Sequence, residues 1–122
     1  MPSAAPHLQD PGRPLAEVKA ELFKALGHPA RVRALEVLSE RERTVGELQT
    51  VIGIESSHLS QQLAVLRRAG LVVTRKEGSS VVYGLKDPLV AELLAVAKRL
   101  LLASLTETRD LLANLTSEVT GR

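Results

Sequence analysis

The sequence predicts a mainly α-helical domain that carries one small β-hairpin. Three observations predict this fold: apolar residues recur at helical spacing, glycine or proline stands at the expected helix ends, and two short β-branched runs flank a Glu-Gly-Ser turn. The chain has 122 residues, which suits one domain. Because only 2% of the residues are aromatic, the core must consist of leucine, valine, alanine and isoleucine, a composition that favours packed helices.

The first 14 residues are predicted to form a disordered tail, and residues 15–118 the folded domain. Residues 1–14 hold four of the six prolines and show no apolar period. At Leu15 an apolar stripe with helical spacing begins, and Gly27 ends this first helix.

Two further helices are predicted from their first residues. Pro29 suits the first turn of the second helix, because that position needs no N–H, and the apolar face of this helix leaves Arg31 for solvent or phosphate. Thr44 and Glu47 form a T-x-x-E capping box at the start of the third helix, and Gly53 ends it.

The fourth predicted helix, from Ser56 to Ala69, has a buried leucine stripe and an opposite polar face. The polar side chains both donate and accept hydrogen bonds, as reading base edges in a DNA major groove requires. Gln61 in particular can make a paired contact to adenine. A solvated helix face is the plainer alternative. The side chains predicted to face DNA are Ser57, His58, Gln61 and Gln62.

Basic residues are concentrated in and after this helix. No acidic residue stands from Ser56 to Lys76, and a polyanion is the natural partner of such a stretch. Two of its basic residues lie in the predicted hairpin, whose strands are residues 71–76 and 80–85. For these two, a charged edge that protects the sheet is the alternative. The predicted phosphate contacts are Arg67, Arg68, Arg75 and Lys76.

Three motifs follow one another along the chain: ALGHPARVRALEVL at 25–38, SSHLSQQLAVLRRAGLV at 56–72 and RKEGSSVVYGL at 75–85. In this order they resemble the ArsR/SmtB family of bacterial winged-helix repressors. The resemblance implies a winged helix-turn-helix of order α-α-α-α-β-β-α that binds operator DNA and represses transcription. It also adds Ser56 to the predicted DNA contacts, although Ser56 is alternatively a helix cap.

The sensor sites of the family are expected to be absent. The chain has no cysteine, which excludes thiol sensing, and leucine and alanine cannot ligate a metal. His28 is interpreted as a helix-start residue, with a metal ligand as the alternative. We therefore expect no metal and no cofactor. The signals left open are an unidentified organic inducer between the dimer helices, a protein partner, a modification of a Ser or Thr such as Ser57, and no signal at all. Aligned with the family, the ligand positions fall on Thr44, Gly46, Asp87, Leu89, Leu100 and Ala103.

The last helix, from Pro88 to about Leu115, is apolar on too many sides to face water alone. Because the domain is small, a second copy of the chain is predicted to bury the apolar surface of this helix. The predicted dimer contacts, in the first and last helices, are Leu15, Val18, Leu22, Leu94, Leu101 and Leu105.

These patterns predict a homodimeric, cytoplasmic repressor that binds an inverted-repeat operator in double-stranded DNA. The rival interpretation is a protein-interaction winged-helix module without specific DNA binding. No phosphate-binding glycine loop, nucleophile elbow or histidine cluster supports an enzyme. No signal-like segment or uninterrupted apolar run supports a membrane protein, because three charged residues interrupt residues 89–105.

Overall fold

The computed structural model describes residues 12–119. Most of the tail predicted at residues 1–14 therefore lies outside the described residues. The chain divides into two compact units, one that reaches Ala91 and a second that begins at Glu92.

The helices and strands follow one another in an order close to the predicted one. The described residues confirm four helices, a hairpin and a last helix, and they add one short strand between the second and third helices. In chain order the elements are α1 (Leu15–Leu26), α2 (Pro29–Glu40), β1 (Arg43–Thr44), α3 (Val45–Ile52), α4 (Ser56–Arg68), β2 (Val72–Glu77), β3 (Ser80–Leu85) and α5 (Pro88–Val119).

Local hydrogen bonds explain where α2 and α3 begin. The backbone N–H of Ala30 donates to Nδ1 of His28 at 3.0 Å, and Pro29 occupies the first helical position. At α3, the N–H of Glu47 donates to Oγ1 of Thr44 at 3.2 Å, while the N–H of Thr44 donates to the Glu47 carboxylate at 2.8 Å. The predicted capping box is therefore confirmed, and His28 has the structural role that was favoured for it.

The predicted hairpin belongs to a three-stranded antiparallel sheet of order β1-β3-β2. Tyr83 in the central strand pairs with Arg43 of β1 on one side and with Thr74 of β2 on the other. The two residues of β1 are too few to show a period of two in the sequence. For this reason the sequence indicated a hairpin alone.

The core of the first unit is aliphatic, as the composition predicted. Leu59, Leu63 and Leu66 of α4 are at most 1% exposed, which confirms the predicted leucine stripe. Burying a leucine side chain contributes roughly 1.5–3 kcal/mol to folding, so three of them hold α4 firmly by one face. The same core includes Ala34, Leu35, Val37, Leu38, Leu48, Val72 and Val82.

The second unit is one continuous helical segment, residues 92–119 of α5, and none of its described residues is buried. The helix continues to Val119, beyond the predicted end near Leu115. None of the described helices has the length and hydropathy needed to span a bilayer. Its exposed large apolar residues are Val96, Leu100, Leu101, Leu102, Leu105, Leu111, Leu112, Leu115 and Val119.

Candidate nucleic-acid interface

The face of α4 opposite its leucine stripe is open to solvent. Ser57, Gln61 and Arg68 are exposed, and their spacing of four and seven residues places them on one side of the helix. His58 is also exposed, at the flank of this face. The structure thus presents three of the predicted reading residues together, on a rigid helix that the core anchors from behind.

Gln62 does not belong to this exposed face. It is 9% exposed, and Nη1 of Arg31 donates a hydrogen bond to its Oε1 at 2.8 Å. The reason is its position three residues after the buried Leu59, which places both on the same side of the helix. The prediction that Gln62 faces DNA is therefore wrong, since its amide is turned into the protein.

The guanidinium of Arg31 joins three helices instead of facing solvent or phosphate. Besides its bond to Gln62 of α4, its Nε donates to the carbonyl of Ala25 at 2.7 Å and its Nη2 to that of Lys24 at 3.2 Å. These carbonyls belong to the last turn of α1, where helical acceptors lack partners and a cation is favourable. Arg31 therefore helps to position α4 and was misassigned from the sequence.

Glu55, and not Ser56, caps the start of α4. The backbone N–H of His58 donates to the Glu55 carboxylate at 3.0 Å, and the hydroxyl of Ser57 donates to the same oxygen. The bond from the Ser57 hydroxyl, followed by that from the His58 N–H, holds the pKa of Glu55 below its usual value. The cap interpretation of Ser56 is wrong, and the Ser57 hydroxyl is engaged with a carboxylate.

Arg75, in the hairpin, is held by two carboxylates. Its Nη2 lies 2.9 Å from Oε1 of Glu42, and its Nη1 lies 2.7 Å from Oε2 of Glu77. These bonds, first that to Glu42 and then that to Glu77, raise the pKa of the guanidinium. Lys76 is exposed and makes no ion pair with any residue in the range 12–119. The two hairpin cations therefore differ in how available they are to phosphate.

Arg67 and Arg68 lie in the last turn of α4, and both are exposed. A positive charge at this end of a helix interacts favourably with the helix dipole. Within the described part of the chain, neither arginine forms an ion pair. Arg67, Arg68 and Lys76 are thus exposed cations in α4 and the hairpin that form no ion pair within the described residues.

Two side chains at possible metal-ligand positions, His28 and Asp87, have other surroundings. The ring of His28 meets that of His58 edge to face, with centroids 5.7 Å apart. Oδ1 of Asp87 accepts a hydrogen bond from the N–H of Leu89 at 2.8 Å, at the start of α5. Over residues 12–119, no group of three or more histidine, cysteine or carboxylate residues is arranged to hold a metal ion.

Two carboxylates that contact the basic stretch from outside it, Glu42 and Glu55, were not predicted. Glu55 directly precedes the stretch, and its place before the first turn of α4 is a local signal for a helix cap. Glu42 lies 33 residues before Arg75, and no local pattern connects the two.

The order of the elements and the exposed face of α4 define a class of protein. A helix, a tight turn and a core-anchored helix with an exposed polar face precede a hairpin that carries two basic residues. This arrangement is that of a winged helix-turn-helix, in which the second of the two helices enters the major groove.

Comparison with known proteins identifies the family. The model of the family described as "Bacterial regulatory protein, arsR family" matches residues 28–74. The HTH-type transcriptional regulator Rv0081 of Mycobacterium tuberculosis is 52% identical over 103 residues, which span 84% of this chain and 90% of that protein. The crystal structure of Rv0081 matches with a TM-score of 0.74 at 53% identity, and covers 80% of this chain and 98% of that one.

Two further structures share the fold. The transcriptional repressor BigR from Xylella fastidiosa has a TM-score of 0.66 at 40% identity, over 70% of this chain and 87% of that one. The homodimeric winged helix-turn-helix DNA-binding domain Mb0332 from Mycobacterium bovis has a TM-score of 0.65 at 31% identity, over 70% of this chain and 80% of that one. The chain belongs to the ArsR family of bacterial regulatory proteins, and it is a DNA-binding transcriptional regulator.

Proposed function

We propose that the protein is a homodimeric repressor that binds an inverted-repeat operator and excludes polymerase from the promoter. The observation that carries this proposal is the orientation of α4, whose leucine stripe is buried while Ser57, His58 and Gln61 are exposed. The similarity to BigR, a repressor, supports the sign of regulation, and the similarity to the homodimeric Mb0332 domain supports the assembly.

The exposed residues would divide the work of binding. Gln61 carries the donor and acceptor pair that matches the edge of adenine, so it would determine the sequence specificity of binding together with His58 and Ser57. Arg67, Arg68 and Lys76 would contact phosphates and supply affinity that does not depend on sequence. Ser56, exposed in the first turn of α4, would add a phosphate contact.

The second copy would cover apolar residues of α1 and α5. Leu15, Leu101 and Leu105 are each about two-thirds exposed, and water is an unfavourable neighbour for so many large apolar side chains. Half-buried residues would complete the contact. The proposed dimer residues are Leu15, Val18, Leu22, Leu94, Leu101 and Leu105.

The proposed regulator would not respond to metals through the usual sites of its family. Thr44, Gly46, Leu89, Leu100 and Ala103 at those positions offer no metal-binding side-chain set. An organic inducer is one remaining proposed signal, beside a protein partner, a modified Ser or Thr, or no signal at all. Titration of the purified protein–operator complex with Zn²⁺, Cd²⁺, arsenite or peroxide should release no DNA, and stoichiometric release at micromolar metal would contradict this.

The central proposal is tested by DNA binding and by a reporter gene. The purified protein should select an inverted repeat from a random pool of duplexes, with half-sites roughly 10 bp apart or a multiple of that. Its affinity should fall steeply as salt rises. In cells, deletion of the gene should raise expression from a promoter that carries the selected sequence. Reduced expression would instead make the protein an activator.

A further inference from the structure

We propose that Glu42 and Glu77 withhold Arg75 from DNA and thereby reduce binding that does not depend on sequence. The proposal concerns the wing, residues 72–85, and it rests on the DNA-binding function given above. Arg75 is the wing cation whose two terminal nitrogens are both engaged, Nη2 by Glu42 and Nη1 by Glu77. Each terminal nitrogen keeps a second N–H, so a phosphate can still approach, but it meets a guanidinium whose charge two carboxylates already offset.

The sheet register explains why Glu42 reaches Arg75. Val82 of the central strand pairs with Arg75 on one side and with Thr44 on the other. Glu42 immediately precedes the two-residue strand β1, so its side chain has to cross β3 to meet Arg75. The short third strand therefore brings a carboxylate to the wing from 33 residues away in sequence.

Gly84 provides the space for this crossing. It is buried, and a Cβ built on it would lie 3.1 Å from both Cγ and Oε2 of Glu42. A methyl group at this position would require the Glu42 side chain to shift by a few tenths of an ångström. Glycine at 84 thus leaves room for the Glu42 side chain over β3, and alanine there would crowd the carboxylate without removing its charge.

The consequence for DNA follows from the chemistry of the guanidinium. Arginine binds phosphate best when two N–H groups point to it side by side, and here a carboxylate occupies each arm. The neighbouring Lys76 leaves the strand on the opposite face, because side chains alternate along a strand. The wing would therefore present one available cation, Lys76, and one that is neutralised.

Removal of the carboxylates should strengthen DNA binding. A variant that failed to fold would bind DNA more weakly, so a gain cannot come from unfolding. The full-length protein and its double variant Glu42→Gln, Glu77→Gln are compared by titration against a random-sequence duplex. Each new phosphate contact steepens the dependence of log affinity on log salt by about 0.9, so two wings should steepen it by about 1.8. At about 50 mM salt, the variant should bind about tenfold more tightly, with the gain nearly gone at about 200 mM.

Two comparisons identify the cause of any gain. Glu36→Gln removes one carboxylate charge, half of what the double variant loses, from an exposed ion pair with Arg33 on α2, and it should leave both affinity and salt dependence unchanged. Gly84→Ala should produce a smaller gain than the double variant, because it crowds the Glu42 side chain while keeping the charge.

The decisive test starts from the Arg75→Ala variant. Adding Glu42→Gln and Glu77→Gln to it should not raise DNA affinity, because no arginine remains to be freed. If the gain persists there, the carboxylates act by repelling DNA directly and the proposal is wrong. If the wild-type protein binds DNA and the double variant binds no more tightly, the proposal is also wrong. Failure of the wild-type protein to bind any duplex would instead contradict the DNA-binding function itself.

Discussion

The two units of the chain contain the same kind of residue in opposite surroundings. Leu63 in the first unit is 1% exposed, whereas Leu101 in the second is 65% exposed. The first unit buries the leucines of α2, α3 and α4 among its own helices and sheet, and this fixes the side of α4 that faces solvent. In the second unit, most leucines of the described residues are exposed. The difference teaches that α4 is oriented by the chain alone, while the apolar surface of α5 requires another molecule.

The largest expected effect comes from charging the surface of α5. Replacing both Leu101 and Leu105 with glutamate should convert the dimer to monomer or aggregate and abolish operator binding, because two charges cannot be buried against a second copy. Sedimentation and an operator titration measure both. Replacing Thr106 and Asn114 with glutamate adds the same charge at two polar positions of α5, and these changes should be tolerated. A well-folded wild-type monomer at micromolar concentration would contradict this prediction.

The next largest effect is expected in the core of the first unit. Leu63→Ala should lower the free energy of unfolding by about 2–5 kcal/mol, because it leaves a cavity behind α4. Denaturant unfolding measures the loss. Val51 of α3 is 42% exposed, so Val51→Ala should change stability by less than about 0.5 kcal/mol. Equal losses from the two variants would mean that α4 is not anchored by this face.

A smaller effect is expected on the open face of α4. Gln61→Ala should cost about 1–3 kcal/mol per specific contact and relax the preference at one position in each half-site. Lys76→Ala should instead weaken all sequences alike and flatten the salt dependence. Arg75→Ala, for which the sequence predicted that same outcome, should change binding less, because its carboxylate partners already neutralise it. A sequence-selection assay in which Gln61→Ala and Lys76→Ala were indistinguishable would overturn this division of roles.

The smallest effect is expected at the capping box of α3, a local feature that does not depend on the packing of the core. Thr44→Ala removes the side-chain half of the capping box on α3 and should cost about 1 kcal/mol of stability. Thr50 lies on the same helix and bonds only to the carbonyl of Gly46, so Thr50→Ala is the matched control and should cost less. Thermal unfolding of both variants provides the measurement. Equal destabilisation would remove the capping box as the explanation for where α3 begins.

Much of the fold could be predicted because it depends on neighbours in sequence. The capping box of Thr44 and Glu47 spans three residues, and the leucine stripe of α4 follows from helical spacing. The exposure of Gln61 follows in turn, since the opposite side of the helix is buried. Gln62 was misplaced although the same spacing predicts its burial, because its amide was read as a sign of exposure.

The sequence by itself determined the helices, the caps at the start of α2 and α3, the side of α4 that faces solvent and the absence of cysteine chemistry. Only the tertiary structure decided how the charged residues pair. Arg31 meets Gln62 across 31 residues of sequence, and Arg75 meets Glu42 across 33. The physical reason is range: capping and periodicity act within about one or two helical turns, where the backbone dictates geometry. A charged side chain instead takes whichever partner the packed helices and the sheet register bring to it.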